Sequence, residues 1–218
     1  MQIAVIGSGI SGLACAHYLS AEHTVSLFES GRRLGGHTAT MDVELGTRRY
    51  AIDTGFIVFN DWTYPNFISL MEELGVSSRP TNMGFSVRDE EHGLEYAGGN
   101  LDALFAQRRN LVSPRFLAMV RDILRFNRES VADLDAGRLS DEETLGEYLE
   151  RNRYSEGFRR DYLIAMGSAI WSSDSASMLD FPVLFFLRFF RNHGLLSIRN
   201  RPQWRVIEGG SREYIAPL

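Results

Sequence analysis

Gly7-Ser8-Gly9-Ile10-Ser11-Gly12 is a G-x-G-x-x-G pattern, and its setting gives it chemical meaning. A short apolar run, Ile3 to Ile6, precedes it and reads as a fully buried parallel strand. A stretch with one apolar face, Ile10 to Ser20, follows and reads as a helix. In that context the first glycine permits a tight turn, the second lets backbone approach a pyrophosphate, and the third lets helix and strand pack closely. Main-chain N–H groups at the helix start then stabilise phosphate charge. Seventeen residues beyond Gly12, Glu29 closes a second β-rich run, Thr24 to Glu29. A carboxylate there can accept hydrogen bonds from both hydroxyls of an adenosine ribose and would repel a 2′-phosphate. A bare glycine pattern could be only a turn, and a lone strand-end acid only a solvated one. Strand, fingerprint, helix, strand and terminal acid in sequence favour a dinucleotide site on a right-handed βαβ unit.

The segment after the second strand separates the dinucleotide classes. Glu29-Ser30-Gly31-Arg32-Arg33-Leu34-Gly35-Gly36-His37-Thr38 resembles the E-x-x-x-R-x-G-G stretch of flavin-containing amine oxidases, phytoene desaturases and their relatives. Glu29, Arg33, Gly35 and Gly36 match position for position, while His37 stands where many amine oxidases have Arg. Physically, a glycine pair lets backbone run under an extended cofactor, and Arg33 could neutralise phosphate or anchor the loop. Asp53-Thr54-Gly55-Phe56 resembles the family's D-x-G segment near the flavin, although such a tripeptide alone is commonly a turn. Trp204 to Ser211 resembles the segment returning from the substrate domain through a Gly-Gly turn, with Ser211 a candidate N-cap. The resemblance implies FAD as cofactor, with contacts from Gly7, Ser8, Gly9, Ser11, Gly12, Glu29, Arg33, Gly35, Gly36, Thr38, Thr54 and Gly55. It implies an α/β fold, a Rossmann-type FAD domain with a mostly helical substrate-domain segment inserted. The expected divisions are 1–60 for the start of the FAD domain, 61–203 for the substrate segment and 204–218 for the return.

The elements that position these residues follow from pattern. Pro65 to Leu74 reads as a helix stopped by Gly75, and Gly84 to Tyr96 as a hairpin turning over Asp89 to Gly93. Phe116 to Leu134 is a helix with apolar residues on one face. Ser140 with Glu143 suggests a capping box for a helix ending near Asn152. Phe158 to Ile170 and Phe181 to Arg191 read as further helices. The second of these holds Phe181, Phe185, Phe186, Phe189 and Phe190, a pattern of core packing before a substrate tunnel or membrane contact. Phe56, Phe59, Trp62 and Tyr64 follow the flavin-facing loop, and half or more of them should be scaffold. Arg199, Arg201 and Arg205 would share one face if their stretch were a strand, either as a solvated edge or meeting an anion.

Composition limits the alternatives. With 44% hydrophobic and 23% charged residues the chain is of globular type, large enough to bury a core. A net charge of −5 gives no electrostatic footprint for nucleic acid. Every basic residue is Arg, which excludes a Schiff-base or P-loop lysine within this sequence. Five scattered His residues lack metal-ligand spacing, so no metal is assigned. The single Cys15 allows no internal disulfide and is expected to pack in an apolar helix. Glycines interrupt the uncharged stretch Met1 to Ala21, which argues against a signal peptide or membrane span and leaves the cytoplasm as default.

The reading is an FAD-dependent oxidoreductase in which the flavin accepts a hydride from a C–N or C–C bond of a small or apolar substrate. The Phe-rich helix leans toward an apolar one. An NAD(P)-dependent reductase and a non-catalytic dinucleotide- or partner-binding module stand as alternatives. No catalytic side chain, electron acceptor or oligomeric state is legible. Because only two strands of a Rossmann sheet can be read, the chain is expected to be incomplete as a catalyst, binding FAD weakly where a longer form binds it well.

Overall fold

A computed structural model describes residues 1–218, which divide into two compact units, Met1–Met83 with Pro202–Leu218, and Gly84–Arg201. In the first unit, β1 (Gln2–Ile6), α1 (Ile10–Ser20) and β2 (Thr24–Phe28) form the expected βαβ unit, with Ile3 opposite Val25 in parallel register. β1 is not fully buried as the sequence suggested, and β2 shows the same pattern. Alternate residues are exposed, Ile6 at 88% and Phe28 at 56%, because β1 and β2 pair only with each other and α1 packs on them from one side. Cys15 is likewise exposed instead of packed, because α1 buries fully only Leu13.

The chain then makes an antiparallel hairpin absent from the sequence reading, β3 (Thr40–Leu45) and β4 (Arg48–Asp53). Met41, Val43 and Leu45 alternate with polar residues along β3, yet the burial pattern is irregular and mostly exposed, so the alternation marks no buried face. After β5 (Phe59–Asn60), α2 (Pro65–Glu73) starts on Pro65 and ends at Gly75, whose φ of +67° suits glycine. β6 (Ser78–Thr81) follows.

The second unit opens on the expected hairpin, β7 (Ser86–Asp89) and β8 (Leu94–Ala97). Asp89 Oδ1 accepts from the N–H groups of Glu91 and His92, which forms the turn. α3 (Leu101–Leu104) and a 3₁₀ turn at Arg108–Val112 lead to α4 (Pro114–Asp135). α4 buries Phe116, Met119 and Phe126 and leaves Leu117 and Leu124 in solvent. The capping box of α5 (Leu145–Arg151) is Thr144 with Glu147, not Ser140 with Glu143. Glu143 is instead held by Arg151, and the Ser140 hydroxyl accepts from Glu142 N–H, so that site is a turn. A π-helical segment, Gly157–Ile164, runs into α6 (Ala165–Trp171). α7 (Ser175–Leu179) and α8 (Val183–Asn192) complete the unit.

The Phe-rich α8 is largely spent on the core, as expected. Trp171 lies within 4.7 Å of Phe189 and 5.1 Å of Phe181, centroid to centroid, and Phe186 stacks on Phe190 at 4.2 Å. Only Phe185 is mainly exposed, at 54%. The chain returns to the first unit through β9 (Trp204–Ile207), which lies between β5 and β6, antiparallel to both. Arg199 and Arg201 precede the strand, so the proposed arginine face does not form. Arg201 donates to Ser197 O, and Arg205 donates to the hydroxyl and carbonyl of Ser78.

Phe186 is fully buried, so Phe186→Ala should destabilise the protein by about 3 to 5 kcal/mol. Phe185→Ala should change stability by roughly 0.5 kcal/mol or less. Urea denaturation of both variants checks the contrast.

Candidate functional site

The glycine fingerprint is built by close backbone approach. Gly7 has a φ of +92°, and its N–H donates to Phe28 O at 2.8 Å, fastening the turn to the end of β2. A Cβ on Gly12 would overlap the Gly7 carbonyl, so only glycine lets α1 start this close to β1. Gly9 is different in kind. A Cβ there would meet nothing within 4 Å, which leaves the helix start open to an incoming group.

Ser8 is fully buried and turned inward. Its N–H and hydroxyl both donate to Glu29 Oε2, at 2.9 and 2.5 Å, while Gly31 N–H donates to Oε1 at 2.7 Å. The Ser8 hydroxyl, then the Gly31 and Ser8 N–H groups, hold the Glu29 carboxyl down at about 2 from an ordinary 4.5. Gly35 N–H donates to Ser8 O at 2.9 Å, so the second glycine loop is laced to the first. Arg33 spends its guanidinium on the carbonyls of Thr38 and Gly36, which favours its reading as a loop anchor.

A further pair of strand ends closes the arrangement. Thr38 is buried and its hydroxyl bonds that of Tyr214. Thr54 N–H and Oγ1 both donate to Ala39 O, at 2.8 and 3.1 Å. Gly55 lies so close to His37 that a Cβ would overlap the His37 carbonyl oxygen. Thus the fingerprint, Glu29 and the Gly35-Gly36 pair form one connected set, and Thr38, Thr54 and Gly55 form a second through residues 37 to 39. Ser11 lies exposed on the first turn of α1.

Sequence reasoning missed what locks this framework. Asp53 Oδ1 accepts from Thr40 Oγ1 at 2.6 Å and from the Ser211 hydroxyl at 2.8 Å, and Ser211 N–H also donates to the same carboxylate. Ser211 is therefore not an N-cap. It is the first residue of a 3₁₀ turn, Ser211–Tyr214, preceded by Gly210 at φ +96°. Arg212 then makes a two-pronged pair with Asp42 at 2.8 Å, and that bond, with a second from Arg49, draws the Asp42 carboxyl down to about 2. The available signal was the Asp-x-Gly and Gly-Gly-Ser pairing of polar residues beside glycines, which gives no partner by itself.

Residues 5–74 match the model of the family described as NAD(P)-binding Rossmann-like domain. The first unit carries a Rossmann-like dinucleotide-binding fold. This Rossmann-like unit and its surroundings are similar to named relatives. A 15-cis-phytoene desaturase of Synechococcus elongatus is 38% identical over 80 residues, covering 36% of this chain and 16% of that protein. A Mycobacterium tuberculosis protein named as a flavin-containing monoamine oxidase is 26% identical over 229 aligned positions, covering 98% of this chain and 46% of its own length. The chain thus spans less than half the length of these relatives. Among solved structures, cyclohexylamine oxidase from Brevibacterium oxydans has the same fold, with a TM-score of 0.64 at 22% identity over 99% of this chain and 48% of that one. The expected α/β Rossmann-type architecture is borne out.

The folded Glu29 carboxyl titrates below its ordinary value, so its bonds contribute to the order of the Rossmann-like loop fully above pH 4.5 and lose that contribution as pH falls toward about 2. Amide protection at Ser8 and Gly31, taken relative to the intrinsic exchange rate at each pH, should fall across that window. In Glu29→Gln that protection should be low throughout, with no step. An identical acid step in the variant would assign the transition to another group.

Proposed function

We propose that the protein is an FAD-dependent oxidoreductase of the amine oxidase-like type. In this reading residues of the first unit bind the cofactor and the helical second unit belongs to the substrate domain. The observation that carries it is the open approach at Gly9, set at the start of α1, with the Glu29 carboxylate and the Gly35-Gly36 loop joined to the same turn. The fit is physical. Space stands where a side chain would block a pyrophosphate, and N–H groups stand at the positive end of a helix. Bound FAD would supply a hydride acceptor for a C–N or C–C bond of a small or apolar substrate.

The chain's own residues do the binding and holding. Gly7, Gly9 and the start of α1 receive phosphate, and Ser11 is exposed beside them. Glu29 offers the lone pairs left after Ser8 and Gly31, and these face a ribose better than a 2′-phosphate. Ser8, Arg33 and Thr38 act as supports, because their side chains are committed within the loops. Gly36, Thr54 and Gly55 offer backbone along the cofactor's length. The lean toward an apolar substrate loses its basis, since the phenylalanines of α8 pack mainly on Trp171 and one another. No helix is long and apolar enough to cross a membrane, and the lone cysteine favours the cytoplasm.

The Rossmann-like family's description gives NAD(P) binding as the second reading, and one pair of variants tests both. Gly9→Val should abolish FAD binding in a flavin absorbance titration while leaving the circular dichroism spectrum unchanged, because its side chain enters open space. Gly12→Val should disturb the fold itself, because it collides with the Gly7 carbonyl. Unchanged FAD affinity in Gly9→Val would move the pyrophosphate elsewhere. Tight NADP binding without FAD binding would replace the proposal by a reductase.

A further inference from the structure

A cleft of about 230 Å³ lies wholly within the second unit. Its walls are the end of the β7–β8 hairpin, the 3₁₀ turn before α4, the first turns of α4 and the π-helical segment that begins at Gly157. The floor is apolar, formed by Phe116 and Met119, both at least 97% buried. π-helical backbone is uncommon and recurs at functional sites, and here it carries Asp161 into the wall.

Two of the polar groups in this cleft, Asn110 and Arg109, lack the counterpart their chemistry calls for. Asn110 is 5% exposed, and its buried Nδ2 has no hydrogen-bond partner in the protein. A native fold leaves so few buried amides unsatisfied that each calls for an explanation, and a bound acceptor is one. Beside it, Arg109 donates only to neutral oxygens, Gly93 O and Gln107 Oε1, so its charge is not balanced by a carboxylate. Arg115 reaches Asp161 Oδ2 at 2.9 Å, and Arg160 reaches the other oxygen at 2.7 Å. Asp161 is the only carboxylate lining the cleft and is met by Arg115 and by Arg160, which also pairs with Asp89 at 3.4 Å, so the unbalanced charge of the cleft is that of Arg109. The 22-residue helix α4 begins at the rim and adds the positive end of its dipole.

Unpaired amide, surplus guanidinium charge and helix start all ask for an acceptor bearing negative charge. We propose that this cleft binds a small organic anion, its carboxylate or phosphate held by Asn110 Nδ2, Arg109 and Arg115 and its compact apolar part resting on Phe116 and Met119. The volume sets the size. Drug-sized pockets begin near about 300 Å³, so this one admits a ligand of one ring or a short chain. Because every residue involved belongs to the second unit, the site stands or falls independently of the FAD reading.

The test titrates the full 218-residue chain by calorimetry with benzoate and with phenyl phosphate, using benzamidine as a cation of the same shape. Saturable one-to-one binding of either anion is expected, and the tighter of the two identifies the headgroup. Arg109→Gln, a change at an exposed side chain, should weaken that binding about tenfold or more, equivalent to roughly 1.4 kcal/mol. Asn110→Leu should do the same, with its thermal melt checking that the unit still folds. Arg128→Gln, at an exposed arginine paired with Glu129 outside the cleft, should change nothing. Absence of saturable binding by both anions, equal binding of benzamidine, or full retention of affinity in Arg109→Gln would overturn the proposal.

Discussion

Ser211 gives both its main-chain N–H and its hydroxyl to the Asp53 carboxylate, across a sequence separation of 158 residues. The first unit is discontinuous in sequence, so something must fix its returning segment against the strands laid down early. Asp53 serves this well because a carboxylate accepts several bonds at once, and bonds to charged acceptors are stronger than neutral ones. It takes Ser211 twice and Thr40 once, and so ties the foot of the β3–β4 hairpin to the turn after β9. Gly210 makes this contact feasible. Its φ is +96°, and a Cβ would run into the Thr40 side chain. From that anchor Tyr214 reaches Thr38, Arg212 reaches Asp42, and Ile215 packs over Gly35, so the glycine-pair loop is held from the far end of the sequence.

The consequence for the candidate site is that it is made of backbone. Ser8, Glu29, Arg33 and Thr38 have side chains of the types that bind ligands, yet each is largely occupied in bracing the loops. Main-chain N–H groups, glycine surfaces and the space above Gly9 remain for a cofactor. Such a surface suits a long, extended dinucleotide better than a compact substrate, since recognition is spread along the chain and needs few side chains. The low-lying Glu29 carboxyl fits the same logic. A charge already satisfied by Ser8 and Gly31 holds the turn in place before any ligand arrives.

Legibility in the sequence followed the range of the interaction. The βαβ unit, α2 and the β7–β8 hairpin were readable because their causes are local: apolar period, Pro at a helix start, Gly at its end, Asp in a turn. The β3–β4 hairpin was overlooked although Met41, Val43 and Leu45 alternate with Thr40, Asp42 and Glu44, and that alternation marks no buried face, since Met41, Leu45, Tyr50 and Ile52 are all exposed. The capping box was misplaced by four residues, since Ser140 and Glu143 satisfy the same pattern as Thr144 and Glu147 and only the latter pair starts a helix. Exposure of Cys15 and the strand alternation in β1 depend on which layers exist beside them, and no local pattern specifies that. For the site, glycine positions and Glu29 were legible, whereas the roles of Asp53, Thr40 and Tyr214 were not, because the bonds that tie the returning segment to the early strands span more than 150 residues.

The second unit keeps its ionic groups under a different constraint. Asp122 is completely buried, and burial, the largest influence on it, works against its charge. The hydroxyl and N–H of Ser155 with Arg125 and Arg121 outweigh that penalty, and the carboxyl still titrates below its ordinary value. Asp161, nearly as buried, is met from two sides by Arg115 and Arg160. Buried charges persist only where paired and hydrogen-bonded, so each of these aspartates fixes where its arginines must stand. In a chain whose cations are all arginine, the planar guanidinium can bond a buried oxygen while its stem runs outward to solvent. Arg109 departs from this pattern: it stands among the same elements without a carboxylate to answer it, beside an amide in the same condition. The two paired aspartates show how this unit meets buried carboxylate charge, and the Arg109 guanidinium and Asn110 amide of the cleft are not met in that way.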